Sequence, residues 1–432
     1  MGIIKRLLIP ILKKIPGVGA YLSEKDKMQQ TIFTLEKQKG DLEKNIKTNQ
    51  GKLYSFTDKE PHIRFITNQL DATGAPHIFR DVIKEFRGKY PELPATLSTF
   101  RPVNEEYREE IEKLGIETII HDRIDTEITF TKNDIVVLNS AAHSFDLKQS
   151  IFSQLKNNSI RGLVWYIQED WPDTFFNDEE RQLIHKLLSQ GRIIIFNPAE
   201  KSLKNIRKFF NDQEHIKKQV YKVQIPSKYH RARQSSDFDK LTFIMIGKTG
   251  GGIKGHLPIL YAFLNFKKIY YDNRPSLYRN FELRFIGLEE DFLSRQIIQH
   301  ASSLGESFRY YTPLSHRKTL DVISEANITI CYSIRECLPI FVFEGMISGH
   351  PLLRKNVSGM EEQLEDGVNG YLLDANNFYN VLSTIERILN KKSTSNAKLL
   401  QMSKKSYNIA RKFETISYDT IINEIVALFN RR

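Results

Sequence analysis

Residues 241–255 read LTFIMIGKTGGGIKG. The first six favour a buried strand, and the glycines after them end it in a turn. A strand, a glycine-rich turn and then an apolar stretch open a βα unit. Five more short β-rich runs follow at helix-sized intervals: 282–287, 308–312, 327–333, 351–355 and 370–374. Upstream the same rhythm holds, with runs at 62–68, 95–101, 117–121, 134–139, 162–168 and 192–197. Helix-like stretches lie between those at 76–88, 103–114, 141–157, 176–189 and 199–210, and an apolar-periodic helix, 417–429, ends the chain. The polar segment 226–239 reads as a linker between the two series. Alternation of this kind implies parallel sheets, so the expected fold is α/β, with two doubly wound domains facing a cleft.

The turn after residue 246 admits three chemical readings. A Walker A loop needs Gly at 242, where Thr242 stands, so that reading fails. Gly250, Gly252 and Gly255 match G-x-G-x-x-G, with Glu289 after the next strand, as a dinucleotide site would want. A lone match of this kind is weak. The third reading is an anion site. Lys248, Lys254, backbone N–H groups and a helix start would together hold a diphosphate. A plain βα loop with solvated lysines is the simpler alternative.

The stretch 333–349, SIRECLPIFVFEGMISG, carries two acids, Glu336 and Glu344, with seven residues between them. Pro339 suits a first helical turn and Gly349 a helix end. Glu336 then lies in the loop before the helix and Glu344 on its second turn. The N–H groups of 338–340 are expected to face the cleft. A carboxylate at Glu344 can accept from two vicinal ribose hydroxyls. Two surface acids on a helix would show the same spacing by chance. Further on, SGMEEQLEDGVNGYLLD (358–374) has turn signals at Asp366-Gly367 and Asn369-Gly370, and Gly359 suits close backbone approach.

In order, the motifs run G-K-x5-K-G, RFIG, S-x-x-E-x7-E-G-M-x-x-G-x-P, S-G-x-E-E and D-G-x-N-G-Y-L. Over about 240–415 this resembles glycosyltransferase family 4, the retaining GT-B enzymes. The resemblance implies a GT-B fold. It implies that Glu336 contacts a donor sugar and Glu344 the nucleotide ribose, while Lys248 and Lys254 bind the diphosphate. Gly247, Gly252, Leu338, Pro339 and Ile340 then complete the donor site. The family usually has Arg where Lys248 stands, and Lys is a point charge without Arg's bidentate fork. The helix 417–429 is expected to cross back to the first domain.

The first half diverges more. TNQLDATGAPHIFRDVIKEF (67–86) resembles the family's first strand and glycine loop, which puts Gly74 near donor or acceptor. GLVWYIQEDWPDTFF (162–176) resembles a subset that includes bacterial rhamnosyltransferases. Many relatives have a His ending that strand. Here Gln168 stands, followed by Glu169 and Asp170, and these tilt the donor toward deoxythymidine-diphosphate rhamnose, with UDP- and GDP-sugars open. Trp165, Tyr166 and Trp171 form either a sugar platform or core, and core is the better reading for Trp165. His143 is placed either facing the cleft or at a plain helix start. The expected reaction moves a sugar to a hydroxyl of a cell-surface or lipid-linked glycan. No cofactor and no metal are expected. The D-x-D at Asp237-Phe238-Asp239 lies in the linker, a poor place for a metal site.

The chain has 432 residues, Lys plus Arg 63, Asp plus Glu 52, and two cysteines. Two cysteines, Cys331 and Cys337, cannot build a disulfide framework and fit a reduced cytosolic chain. About half of the +11 charge sits in residues 1–55. Residues 1–22 hold Lys5, Arg6, Lys13 and Lys14 among Ile and Leu, so they read as an amphipathic segment at an anionic membrane surface or as a helix packed on the protein. In 23–55, Met28, Ile32, Leu35, Leu42, Ile46 and Leu53 form an a/d seam, interrupted at Lys39 and Asn49. That fits a coiled coil able to form a homo-oligomer, a stalk, or a helix laid on the body. The expected divisions are 1–22, 23–55, 56–235, 236–415 and 416–432. The expected location is the cytoplasm, peripheral on the inner face of the plasma membrane. A nicotinamide oxidoreductase, a non-catalytic scaffold and a nucleic-acid binder compete. The first leaves 333–349 unexplained, the second conflicts with a complete donor side, and the third lacks a basic groove with interleaved aromatics.

Overall fold

Parallel strands covered on both faces need apolar side chains at every position, because neither face meets water. The runs IVVLN and GLVWY are of this kind, and all ten residues are buried. In the computed structural model, which describes residues 62–71, 73–122, 128–170, 172–374 and 377–430, they are central strands. Residues 1–22, 23–55 and Trp171 lie outside the described residues.

The first sheet has seven strands: β1 (Ile63–Thr67), β2 (Ala95–Phe100), β3 (Glu117–His121), β4 (Ile135–Asn139), β5 (Gly162–Tyr166), β6 (Ile193–Asn197) and β7 (Ile216–Lys218). Its order is β3-β2-β1-β4-β5-β6-β7, parallel throughout. The second sheet comprises β8 (Lys240–Ile246), β9 (Asn280–Ile286), β10 (Phe308–Tyr311), β11 (Ile328–Cys331), β12 (Leu352–Lys355) and β13 (Gly370–Leu373). Its order is β10-β9-β8-β11-β12-β13, also parallel. The fold is two Rossmann-like α/β domains. Strand order reverses beside β1/β4 and beside β8/β11, and loops leaving the carboxyl ends at such points form a crevice.

Helices of the first half are α1 (Gly74–Lys89), α2 (Glu105–Glu112), α3 (Phe145–Lys156), α4 (Pro172–Phe175), α5 (Asp178–Ser189) and α6 (Glu200–Phe210). The second half has α7 (His256–Phe266), α8 (Phe292–Ala301), α9 (His316–Glu325), α10 (Ile340–Ile347), α11 (Phe378–Leu389) and α12 (Asn396–Arg411). The starts follow local chemistry. Asn177 and Glu180 form a reciprocal capping box on α5. Ser315 accepts from Lys318 N to start α9.

The last helix, α13 (Asp419–Asn430), lies against the first sheet. Arg161 donates to Phe429 O at 2.5 Å, and a Cβ on Gly162 would sit 2.8 Å from the Leu428 methyls. One buried cluster joins Phe65 and Phe79 of the first half to Val342 and Phe343 of α10 and Ile421 and Ile425 of α13. The segment 226–239 links the two sheets as expected, and it is packed down. Tyr229 and Phe238 are buried, and the Arg233 guanidinium donates to Ser348 O at 2.9 Å and to Ala326 O. Among the described residues no helix is long and apolar enough to cross a membrane. Both cysteines are buried free thiols.

Candidate functional site

A cavity of about 660 Å³ opens between the carboxyl ends of the two sheets. From the second half it is lined by Gly247, Lys248, Lys254, Glu289, His316, the loop Glu336–Pro339, Ile340, Phe341 and Glu344. Asp71, Gly74, Ala75, His77, Gln168, Glu169 and Tyr221 line it from the first half. The walls nearly touch at one point, because a Cβ on Gly74 would stand 3.3 Å from Ile340 Cδ1. Beside the cleft, Asp170 accepts from the Ser358 hydroxyl and Lys218 pairs with Glu362 at 2.9 Å, which ties the two halves together.

Glu336 and Glu344 occupy the two places that the spacing predicts, the loop after β11 and the second turn of α10. Pro339 is the residue before α10 rather than within its first turn. Having no N–H, Pro339 cannot be a donor in the expected 338–340 set. The free first-turn N–H groups belong to Ile340 and Phe341, both on the cleft wall. Gly359 packs against this loop, and a Cβ there would fall 2.0 Å from Cys337 O.

The lysines are not bare cations. Lys254 is paired with the Glu336 carboxylate, which also accepts from the Ser333 hydroxyl at 2.9 Å. Burial alone would lower the Lys254 pKa, but the Glu336 charge and hydrogen bond outweigh it and hold the value up. Gly247 makes room for this side chain, since a Cβ there would lie 2.7 Å from Lys254 Cγ. Lys248 pairs with Glu289 at 3.3 Å. Both partners are more than a third exposed, so this pair is weak and easily exchanged for another anion. Gly252 sits in the turn with φ +66° and is not among the lining residues.

On the first-half side Gln168 and Glu169 line the cleft, and each is held by its own scaffold. The Gln168 amide donates to Asn139 Oδ1 (2.5 Å) and Ala75 O (3.3 Å), and its oxygen accepts from the Tyr221 hydroxyl (2.9 Å). Its donors are therefore committed to the scaffold. Glu169 accepts from the Ser140 hydroxyl, Ala141 N (2.8 Å) and Gln168 N (3.0 Å), so it ties two loops together. His143 does not line the cleft. Its ring turns back to Asn139 O at 2.7 Å, and burial lowers its pKa to about 4, which leaves a neutral imidazole. Trp165 is core, with its N–H on Ser140 O. In the D-x-D, Asp237 accepts from Gln234 N and pairs with Arg231, while Asp239 accepts from Asn396.

Sequence reasoning missed His316 and His77. His316, the first residue of α9, donates from Nε2 to Glu344 Oε1 at 2.6 Å. Its ring meets His77 of α1 edge-on at 4.7 Å, across the cleft. His77 Nδ1 lies 2.9 Å from the Tyr107 hydroxyl. Burial, then the Arg80 charge, lower the His77 pKa to about 3, so that ring is neutral. Burial also works against a charged His316, but the Glu344 carboxylate prevails and raises its pKa, with Arg80 opposing and Asp81 assisting. A histidine raised above its unfolded value of about 6.5 contributes fully below that pH and loses the contribution as pH rises through the folded value. The stability gap between wild type and His316→Asn in urea is therefore expected to shrink as pH rises above about 6.5. A gap that stays constant or widens would show that His316 is not held charged by Glu344.

Residues 229–408 match the family model of group 1 glycosyl transferases. No curated protein matches the sequence. Among solved structures, HepE of Anabaena in complex with UDP-glucose has a TM-score of 0.61 at 13% identity, covering 85% of this chain and 98% of its own. TarM of S. aureus, in complex with Fondaparinux, alpha-GlcNAc-glycerol and UDP, has 0.58 at 12%, covering 86% and 100%. The pneumococcal O-GlcNAc transferase GtfA, in complex with UDP and GlcNAc, has 0.58 at 11%, covering 86% and 100%. At such identities the likeness establishes the fold, and that fold is GT-B.

Proposed function

We propose that this protein transfers a sugar from a nucleotide diphosphate donor to a hydroxyl of a glycan or lipid-linked glycan, with retention at the anomeric carbon. The observation that carries this reading is the meeting of Glu336, Glu344, Lys254 and the α10 N-terminus in one cleft between two Rossmann-like halves. The match of 229–408 to group 1 glycosyl transferases supports it.

In this reading the anomeric C–O bond to phosphate breaks and a C–O bond to the acceptor forms on the same face. The acceptor proton passes to the departing phosphate oxygen, so no side chain acts as a strong base. The N–H groups of Ile340 and Phe341, with Lys254, oppose the growing phosphate charge, usually the largest catalytic contribution. Glu336 faces the sugar, where positive charge develops. Glu344 holds the ribose.

The donor is read as a ribonucleotide. Glu344 can accept from two vicinal hydroxyls, and a deoxyribose offers one. The Gln168–Glu169 pair that points to dTDP-rhamnose is occupied with its own scaffold. HepE, TarM and GtfA were each solved with UDP or a UDP-sugar, which favours a uridine donor. A panel of UDP-, GDP- and dTDP-sugars, scored by binding and nucleotide release, tests this. A uridine or guanosine sugar is expected to bind at least about tenfold more tightly than its deoxythymidine counterpart, the loss of one charge-assisted hydrogen bond. Failure to bind any donor, together with tight binding of NAD, would sink the reading.

A further inference from the structure

On the second-half wall of the cleft the charges cancel in pairs. Lys254 meets Glu336, Lys248 meets Glu289 and His316 meets Glu344. A nucleoside diphosphate carries about three negative charges, so a site of neutral pairs would be poorly matched to it. One cation behind the cleft wall breaks the pattern. Arg354, on β12, is completely buried. Its guanidinium donates to Gly359 O (3.2 Å), Ser358 O (3.3 Å) and the Gln363 amide oxygen, all neutral acceptors. Its Nε has no hydrogen-bond partner. Among the described residues no carboxylate lies within ion-pair distance of it. A guanidinium keeps its proton even here, and burying one without a counter-ion is costly.

Its position gives that cost a use. Arg354 pairs in register with Cys331, the last residue of β11, which leads into the Glu336 loop. Gly359, which accepts from Arg354, packs directly on Cys337 and Leu338 of the cleft wall. Gln363 bridges from Arg354 to Pro339 O at 3.0 Å, just before α10. The charge therefore sits one layer behind the N-terminus of α10, in a medium that screens it poorly.

We infer that Arg354 is a positioning residue that gives the second-half wall of the donor cleft its net positive charge, selecting a diphosphate through the field behind α10 without touching it. The inference rests on the nucleotide diphosphate reading above. The counter-ion missing from the protein is then the ligand itself.

The test is a charge series of ligands on the full-length chain. Calorimetry would measure the tightest binder among UDP, GDP and dTDP, then its monophosphate and its nucleoside. In Arg354→Met the diphosphate is expected to weaken about tenfold or more and the nucleoside less than about twofold, with the monophosphate between. Arg354→Lys, which keeps the charge but not the fork, should hold the diphosphate-to-nucleoside ratio within about threefold of wild type. Gln363→Met, which removes the bridge to Pro339 and leaves the cation, should also leave that ratio in place. Equal weakening of all three ligands in Arg354→Met would make the arginine a tether and overturn the inference. If Arg354→Met does not fold, the lysine variant decides: a ratio that collapses despite the retained charge overturns it as well. A wild type that binds none of the three diphosphates defeats the donor reading, and this inference with it. A wild type that binds one, with an unmoved ratio in Arg354→Met, defeats this inference alone.

Discussion

Glu336→Gln is expected to lower sugar transfer about a hundredfold or more while nucleotide binding holds or tightens. The two effects have opposite signs for one reason. Glu336 neutralises Lys254 across a short ion pair, and it faces the part of the cleft assigned to the donor sugar. Removing its charge frees the ammonium to meet a phosphate, which favours the nucleotide. The same change removes the carboxylate that would oppose positive charge at the sugar, which disfavours the transition state. Gln keeps the volume and can still accept from the Ser333 hydroxyl, so the loop geometry should persist. Lys254 loses its partner in a partly buried site, and a stability loss of about 1–2 kcal/mol is expected. Turnover with a matched donor, UDP calorimetry and thermal unfolding on the same sample would separate these effects. Full turnover in the variant removes Glu336 from the chemistry. A parallel fall in UDP affinity and turnover means that the carboxylate acts by shaping the loop.

The fold was legible because parallel strands buried on both faces leave an unbroken apolar signature. Runs such as IVVLN and GLVWY have few other uses. β7 left no such mark. It is three residues, IKK, on a sheet edge, and of these only Ile216 is fully buried. How tightly the linker 226–239 packs was not legible for a related reason. Its composition is polar, but the polarity of Arg233 is spent inward on two backbone carbonyls, which composition does not reveal.

At the site, Glu336 and Glu344 were legible because a helix start fixes their relative height and direction. What each acid meets was not legible, because the partners come from distant segments. Glu344 meets His316 from α9, and His316 meets His77 from the other half. A histidine opening a helix looks the same in sequence whether its ring crosses a cleft, as His316 does, or folds back on its own strand, as His143 does. Gln168 illustrates the same limit. Its residue type suits a sugar, but three scaffold groups claim its amide.

Glycines around the motif 358–374 offer the sharpest contrast in expected stability. Gly359 and Gly367 both have left-handed backbone, φ +69° and +73°. A non-glycine residue there costs about 1 kcal/mol in either place. The space around them differs. A Cβ on Gly367 would meet nothing within 4 Å, whereas one on Gly359 would fall 2.0 Å from Cys337 O and 3.0 Å from its carbonyl carbon. That neighbour is backbone and cannot rotate away. Gly359→Ala must therefore push the Cys337–Leu338–Pro339 loop toward the cleft, and this loop sets where α10 begins. The expected losses are about 1 kcal/mol for Gly367→Ala and about 3 kcal/mol or more for Gly359→Ala, measured by urea unfolding. Nucleotide affinity separates them further. Gly367→Ala should leave it unchanged. Gly359→Ala should weaken it by about tenfold or more, because displaced N–H groups of Ile340 and Phe341 no longer converge on the phosphate. Equal stability losses would mean that the loop has room to yield. A large stability loss with unchanged affinity would mean that the α10 N-terminus is not where the diphosphate binds.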